Sequence, residues 1–180
     1  MKLIFIGSPG SGKSTQAKTL AEKLNLPYIE TGQIFRDRAI QSDSIGQKIH
    51  QALKSGVLVE DEIAVNTLKE KLKDSKSLNG YILDGYPRNE AQLNGLENDI
   101  NIVFYINISD AEAIKRLTLR ARLGETKEVL AKILETFHQK TEPLINYFKE
   151  KGILIEINGD QTIKEVSADV KKAYVANAKI

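Results

Sequence analysis

The chain has 180 residues, 41% of them hydrophobic, which suits one compact domain with a proper core and no linker to spare. Its formal charge is only +2, with acids and bases interleaved, and that balance argues against a general nucleic-acid binder. There is no Cys, so disulfides and thiolate zinc sites are excluded and a cytoplasmic location fits.

The chain opens on Met1-Lys-Leu-Ile-Phe-Ile6, an apolar run the length of one buried strand. It is too short for a signal peptide or a membrane span, and no membrane partner is expected. Gly7-Ser-Pro-Gly-Ser-Gly-Lys13-Ser14 follows and fits the phosphate-loop pattern G-x-x-x-x-G-K-[ST] at every fixed position. Thr15 to Leu24 then reads as an amphipathic helix. Strand, glycine loop and helix in this order let backbone N–H groups converge on an anion, beside the positive end of a helix. Lys13 can reach a terminal phosphate as a point charge.

Further candidate strands are Pro27–Glu30, Tyr81–Leu83, Ile102–Ile106 and Ile153–Ile157, in addition to Leu3–Ile6. Helical patterns occupy about 13–24, 31–41, 44–54, 61–74, 90–96, 110–121, 125–150 and 162–176. The alternation implies an α/β fold, and with the phosphate-loop motif of Gly7 to Ser14 the fold expected is of the P-loop NTPase type. It is a three-layer sandwich in which an about five-stranded parallel sheet is flanked by helices. Right-handed crossovers bring the loops after the strands to one edge, where ligands bind. Asp43 or Ser44 can cap one helix, Glu60 and Asp61 favour the start of the next, and Ser109-Asp110 opens another. Asn79-Gly80 and Asn158-Gly159 read as turns, and Pro143 predicts a kink or break in the long late helix.

Tyr81-Ile-Leu-Asp84-Gly-Tyr-Pro-Arg88 ends a hydrophobic strand on a carboxylate. In phosphate-loop proteins an acid at that place holds Mg²⁺, directly or through water, with the loop hydroxyl opposite; here those are Asp84 and Ser14. Asp-Gly also makes an ordinary turn.

Gly7 to Thr15 taken with Asp84-Gly-Tyr-Pro-Arg88 resembles the adenylate kinases, within the nucleoside monophosphate kinases. Thr31-Gly32 with Phe35-Arg36, Gly56-Val-Leu-Val59 and Lys140-Thr-Glu-Pro143 extend the resemblance over nearly the whole chain. It implies a helical AMP-binding insertion over 31–60, MgATP as phosphoryl donor, and the reversible reaction ATP + AMP = 2 ADP that balances the adenine nucleotides. By the same resemblance Gly10, Ser11, Gly12, Lys13, Ser14 and Thr15 cradle the ATP phosphates. Arg116 stacks on the ATP adenine and Gly159 approaches its edge. Arg36 and Arg88 bind the AMP phosphate, while Thr31, Gly32, Val57, Val59, Gly85 and Gln92 surround the rest of AMP. Lys13, Arg88 and Arg120, with Arg122 close by, would serve the transferring group. Such chemistry needs charge neutralisation and positioning and no activated base, so His50 and His138 are read as surface or structural residues.

The chain departs from the family pattern after Arg120. Arg120-Ala-Arg122-Leu-Gly-Glu-Thr-Lys127 runs almost directly into the next helix and leaves a vestigial lid at about 121–126. The late helix offers Ile133 where the family places another arginine. Three consequences are weighed: a slow enzyme, substitution by Arg122 or Lys127, and a homo-oligomer whose neighbouring subunit covers the ATP site. The last is favoured. The alternatives in function are a sister kinase using UMP, CMP or GMP, a nucleotide-binding regulator with little turnover, and a small-metabolite kinase, which Asp84 to Arg88 counts against.

Overall fold

The computed structural model describes residues 1–73, 79–120 and 126–178. The five apolar runs become five parallel strands: β1 (Lys2–Gly7), β2 (Tyr28–Glu30), β3 (Tyr81–Asp84), β4 (Ile102–Asn107) and β5 (Leu154–Asn158). Their spatial order is β2-β3-β1-β4-β5. Alternate residues of each strand face opposite layers, as a period of two requires. Ile4, Ile6, Leu83 and Val103 belong to one core, and Leu3, Phe5, Ile82 and Phe104 to the other. Phe5 and Phe104 stack with ring centroids 4.9 Å apart across the β1–β4 pair. The helices are α1 (Lys13–Leu24), α2 (Thr31–Arg38), α3 (Ser44–Lys54), α4 (Asp61–Leu72), α5 (Asp110–Arg120), α6 (Lys127–Thr136), α7 (Leu144–Glu150) and α8 (Ile163–Asn177).

Register decides what meets at the upper edge of the sheet. Phe5 lies beside Asp84 and Gly7 beside Ile106, so the loop after β1 sits between the ends of β3 and β4. The chain places β1 centrally and adds strands on both sides of it, which makes the edge above β1 the natural crevice. Among the described residues no helix is long and apolar enough to cross a membrane.

Helix ends follow local chemistry. Asp43 caps α3, its carboxylate accepting from the Gly46 N–H at 2.8 Å, and Ser44 is the first helical residue. Thr162 and Glu165 form a reciprocal capping box on α8. The segment around 31–41 stops at Arg38, and 90–96 winds as a 3₁₀ helix over Glu90–Gly95. The long late helix is broken, as Pro143 demands, but the break is spread over a π-helical turn at Phe137–Thr141. There the Glu142 N–H donates to Phe137 O at 2.9 Å, because wider winding precedes a residue that has no N–H of its own to continue the helix.

His138, in that turn, joins two elements. Its Nδ1 lies 2.7 Å from Glu142 Oε2, and its Nε2 lies 3.0 Å from Asp110 Oδ1 at the start of α5. The hydrogen bond to Glu142 raises its pKa above the ordinary 6.5, partial burial opposes this, and the Asp110 carboxylate adds to the rise. Because the folded pKa is the higher one, the contribution to stability is complete below 6.5 and is lost as pH rises through the raised folded value. Urea unfolding from about pH 6 to about pH 8.5 should show this loss, and His138→Gln should flatten that part of the profile.

Candidate active site

The phosphate loop bends where side chains cannot fit. A Cβ on Gly7 would lie 2.6 Å from Ile106 O, and Gly10 and Gly12 have φ near +83° and +86°. The Ser11 N–H closes the loop on Ser8 O at 3.1 Å. Lys13 begins α1, its Nζ 3.5 Å from Ser8 O, so the ammonium lies back along the loop. The Ser8 hydroxyl is buried with no hydrogen-bond partner among the described residues.

Beside it, β3 delivers Asp84, which is 1% exposed. Its Oδ2 accepts from the Tyr28 hydroxyl at 2.9 Å, and the Ser14 side chain lies close to that hydroxyl. Burial, then the Asp84 charge, push the Tyr28 pKa well up, so the phenol keeps its proton and donates it. Asp84 Oδ1 is buried with no partner among the described residues. A buried carboxylate oxygen left unpaired is costly, and a hard cation is the ligand that satisfies it. With the Ser14 hydroxyl nearby, the donor set is all oxygen, as Mg²⁺ prefers.

Arg88 follows the Tyr86–Pro87 peptide and is held at its backbone by two side chains. Thr141 Oγ1 donates to Arg88 O at 2.7 Å, and Gln92 Oε1 accepts from the Arg88 N–H at 2.9 Å. The guanidinium Nε donates to Gly85 O at 2.9 Å. Burial lowers the Arg88 pKa and the Asp84 carboxylate pulls it back up; arginine starts high enough to keep its charge. Arg36 pairs with Glu30 at 2.7 Å. A Cβ on Gly32 would lie 3.2 Å from Arg36 Nη1 and 3.8 Å from Arg88 Nη2, so the two guanidiniums converge there.

One cavity of about 600 Å³ joins these parts. Lys13, Ser14 and Asp84 line it at one end. Gly32, Arg36, Gly85, Arg88, Gln92, Val57 and Val59 line the other. Ile133 also lines it, packed on Gly56. On the far side of the phosphate loop, Gly10 packs on Ala113 and Leu117 of α5, and Arg116 donates to Gly159 O at 3.0 Å. Thr15 is exposed at the start of α1.

Two of the expected residues are engaged with protein groups. The Thr31 hydroxyl is buried and donates to Asp84 O and Gly85 O at 3.1 and 3.0 Å, bracing the end of β3. The Gln92 amide, besides accepting from Arg88, donates to Asp61 Oδ1 at 3.0 Å and so ties Arg88 to α4. Arg120 ends α5, whereas Arg122 and the lid residues 121–125 lie outside the described residues. Two residues escaped the motif reading, Tyr28 and Glu30, because they belong to a short strand. A carboxylate closing an apolar strand just before Thr31-Gly32 was the available signal, as it is at Asp84.

Fold and cavity together define a P-loop phosphotransferase with two anion-binding ends facing each other. The family model "Adenylate kinase" matches residues 5–153. An adenylate kinase of Prochlorococcus marinus is 36% identical over 178 residues, covering 94% of this chain and 96% of its own. Adenylate kinase 1 of a Nostoc species is 37% identical over 177 residues, with the same coverage. An adenylate kinase of Ruminiclostridium cellulolyticum is 32% identical over 211 residues, covering 96% and 99%. The chain belongs to the adenylate kinase family, and its activity is that of an ATP:AMP phosphotransferase acting on ATP, AMP and ADP.

Gly85 offers a direct check on the geometry. At φ +77° a Cβ there would lie 3.2 Å from Arg88 Nη2 and 3.3 Å from Thr31 Oγ1. Gly85→Ala should therefore move the guanidinium and raise the KM for AMP about tenfold or more, with a smaller effect on the KM for ATP.

Proposed function

We propose that this cavity seats ATP and AMP end to end and transfers the γ-phosphoryl group between Lys13 and Arg88. The observation that carries the reading is the single cavity with Lys13 and Ser14 at one end and Arg36 and Arg88 at the other. Loop N–H groups from Gly10 to Thr15 and the α1 N-terminus would hold the ATP phosphates. Ser14 and Asp84 would hold Mg²⁺, which when bound neutralises charge on the phosphates. Arg36 and Arg88 would bind the AMP phosphate and direct one of its oxygens at the donor. No base is called for, because that phosphate is already ionised. Val57, Val59 and Gly85 would face the adenine of AMP, with Gln92 behind them and Thr31 bracing the wall. The insertion over 31–60 would serve as the cover of that site. Arg116 would stack on the ATP adenine beside Gly159, and Arg120 and Arg122 would serve the phosphoryl group.

Ile133 supports a reduced turnover, since it puts an aliphatic side chain in the cavity wall where the family resemblance leads one to expect a guanidinium. A vestigial lid leaves the ATP side in need of cover. Ile114 and Leu119 of α5 are 55% and 80% exposed near Arg116, which supports a second subunit covering that side. A cytoplasmic location agrees with the absence of Cys.

Coupled assays of ADP formed from ATP with AMP, UMP, CMP and GMP should show strong preference for AMP. Arg88→Ala should reduce kcat on the order of a thousandfold. An unchanged rate would overturn the site assignment. Light scattering of the active protein should show a dimer or larger, and a fully active strict monomer would overturn the oligomer.

A further inference from the structure

Glu30 is a carboxylate inside a phosphate site. It is the last residue of β2 and stands at the N-cap of α2, yet its side chain makes no cap hydrogen bond. Instead Oε1 accepts from Arg36 Nη2 at 2.7 Å, and Oε2 lies 3.3 Å from the Tyr28 hydroxyl. The ideal Cβ position on Gly32 marks one point in this space. Arg36 Nη1, Arg88 Nη2 and Glu30 Oε1 all lie within 3.2 to 3.8 Å of it. Two guanidiniums and one carboxylate thus converge on a volume the size of a phosphate group. Glu30 also lines the cavity, and its side chain and that of Arg36 are only 26% and 31% exposed. The interaction is therefore less screened than one at the open surface.

We propose that Glu30 occupies the acceptor-phosphate pocket of the empty enzyme as an internal counter-anion, and that the phosphate of AMP must displace it from Arg36. The proposal rests on the AMP-site reading above and adds to it a residue that sets affinity there. The charge arithmetic is direct. Arg36 and Arg88 repel each other across the pocket; Asp84 offsets this chiefly at Arg88, while Glu30 pairs directly with Arg36 and adds a smaller attraction for Arg88. When a phosphate dianion enters, it takes over as counter-charge. Glu30 then becomes a like charge beside it and loses its partner. The Tyr28 hydroxyl lies 3.3 Å from its other oxygen but gives its one proton to Asp84 at 2.9 Å, so the displaced carboxylate gains no donor there and must turn to water. Part of the AMP binding energy is spent in this exchange, which weakens AMP. It weakens singly charged or poorly fitting anions more, because they replace the carboxylate without gain.

A carboxylate that merely orients Arg36 would have the opposite signature, and that difference makes the test. Calorimetric binding of AMP and steady-state KM would be measured for the wild type, Glu30→Gln, Glu30→Ser and Arg36→Ala, with inorganic phosphate as a competitor and thermal unfolding to confirm each fold. Glu30→Gln and Glu30→Ser should lower the Kd for AMP about threefold or more and lower the inhibition constant of inorganic phosphate by at least as much, with the KM for ATP unchanged. A Kd for AMP that rises or stays the same in both Glu30 variants would overturn the proposal. Arg36→Ala reports on the underlying site and should raise the Kd for AMP. If it does and the Glu30 variants show no tightening, only the proposal falls; if it does not, the site assignment falls and the proposal with it.

Discussion

Like-charge repulsion is the constraint on which the rest of the structure depends. A phosphoryl donor and an acceptor phosphate must approach closely although both are anions, so the fold has to concentrate positive charge and donor groups at one small place. Parallel pairing of β1 with β3 does this. Phe5 beside Asp84 puts the phosphate loop next to Asp84-Gly-Tyr-Pro-Arg88, so the ends of two adjacent strands bring Lys13 and Arg88 to one cavity. Everything further out serves to hold that edge still. Gln92 and Thr141 fix the Arg88 backbone, Asp61 fixes Gln92, and Thr31 fixes the end of β3. The polar side chains around Arg88 are thus mostly engaged with protein groups, which leaves the guanidinium tips as the part offered to a ligand.

The strands and both site motifs were legible because each is local. A strand buried on two faces writes itself as an apolar run, and Gly7 to Ser14 states its own geometry through its glycines and Lys13. Strand order was not legible, since β2-β3-β1-β4-β5 follows from which crossovers pack and leaves no short-range trace. Pro143 announced an interruption, but a missing N–H alone does not say that the break takes the form of a π-helical turn at Phe137–Thr141. Gln92 shows the limit of reading roles from position. It lies on the cavity wall as expected, yet its amide already bridges the Arg88 N–H and Asp61. Tyr28 and Glu30 went unread for the converse reason. Their chemistry arises only when β2 lies beside β3 and α2 turns Arg36 back over the strand end.

Water exclusion shows how the chain answers the second demand of phosphoryl transfer. Water competes with AMP as acceptor, so the acceptor end must be dry as well as positive. In this chain apolar side chains line part of that end. Val59 and Phe137, each 7% exposed, line the wall with Val57 and Ile133. Gly56 at φ +67° would bring a Cβ to 3.1 Å from Val129 O and 3.2 Å from Ile133 Cγ1, so the segment after α3 closes directly onto the Val129 and Ile133 side chains of α6. An arginine at position 133 would have to pass through this contact or hold it open. The aliphatic side chain instead packs against Gly56, where the segment after α3 meets α6. Packing of this kind between Gly56 and Ile133 narrows the path for water along that wall of the cavity, whatever covers the opposite end.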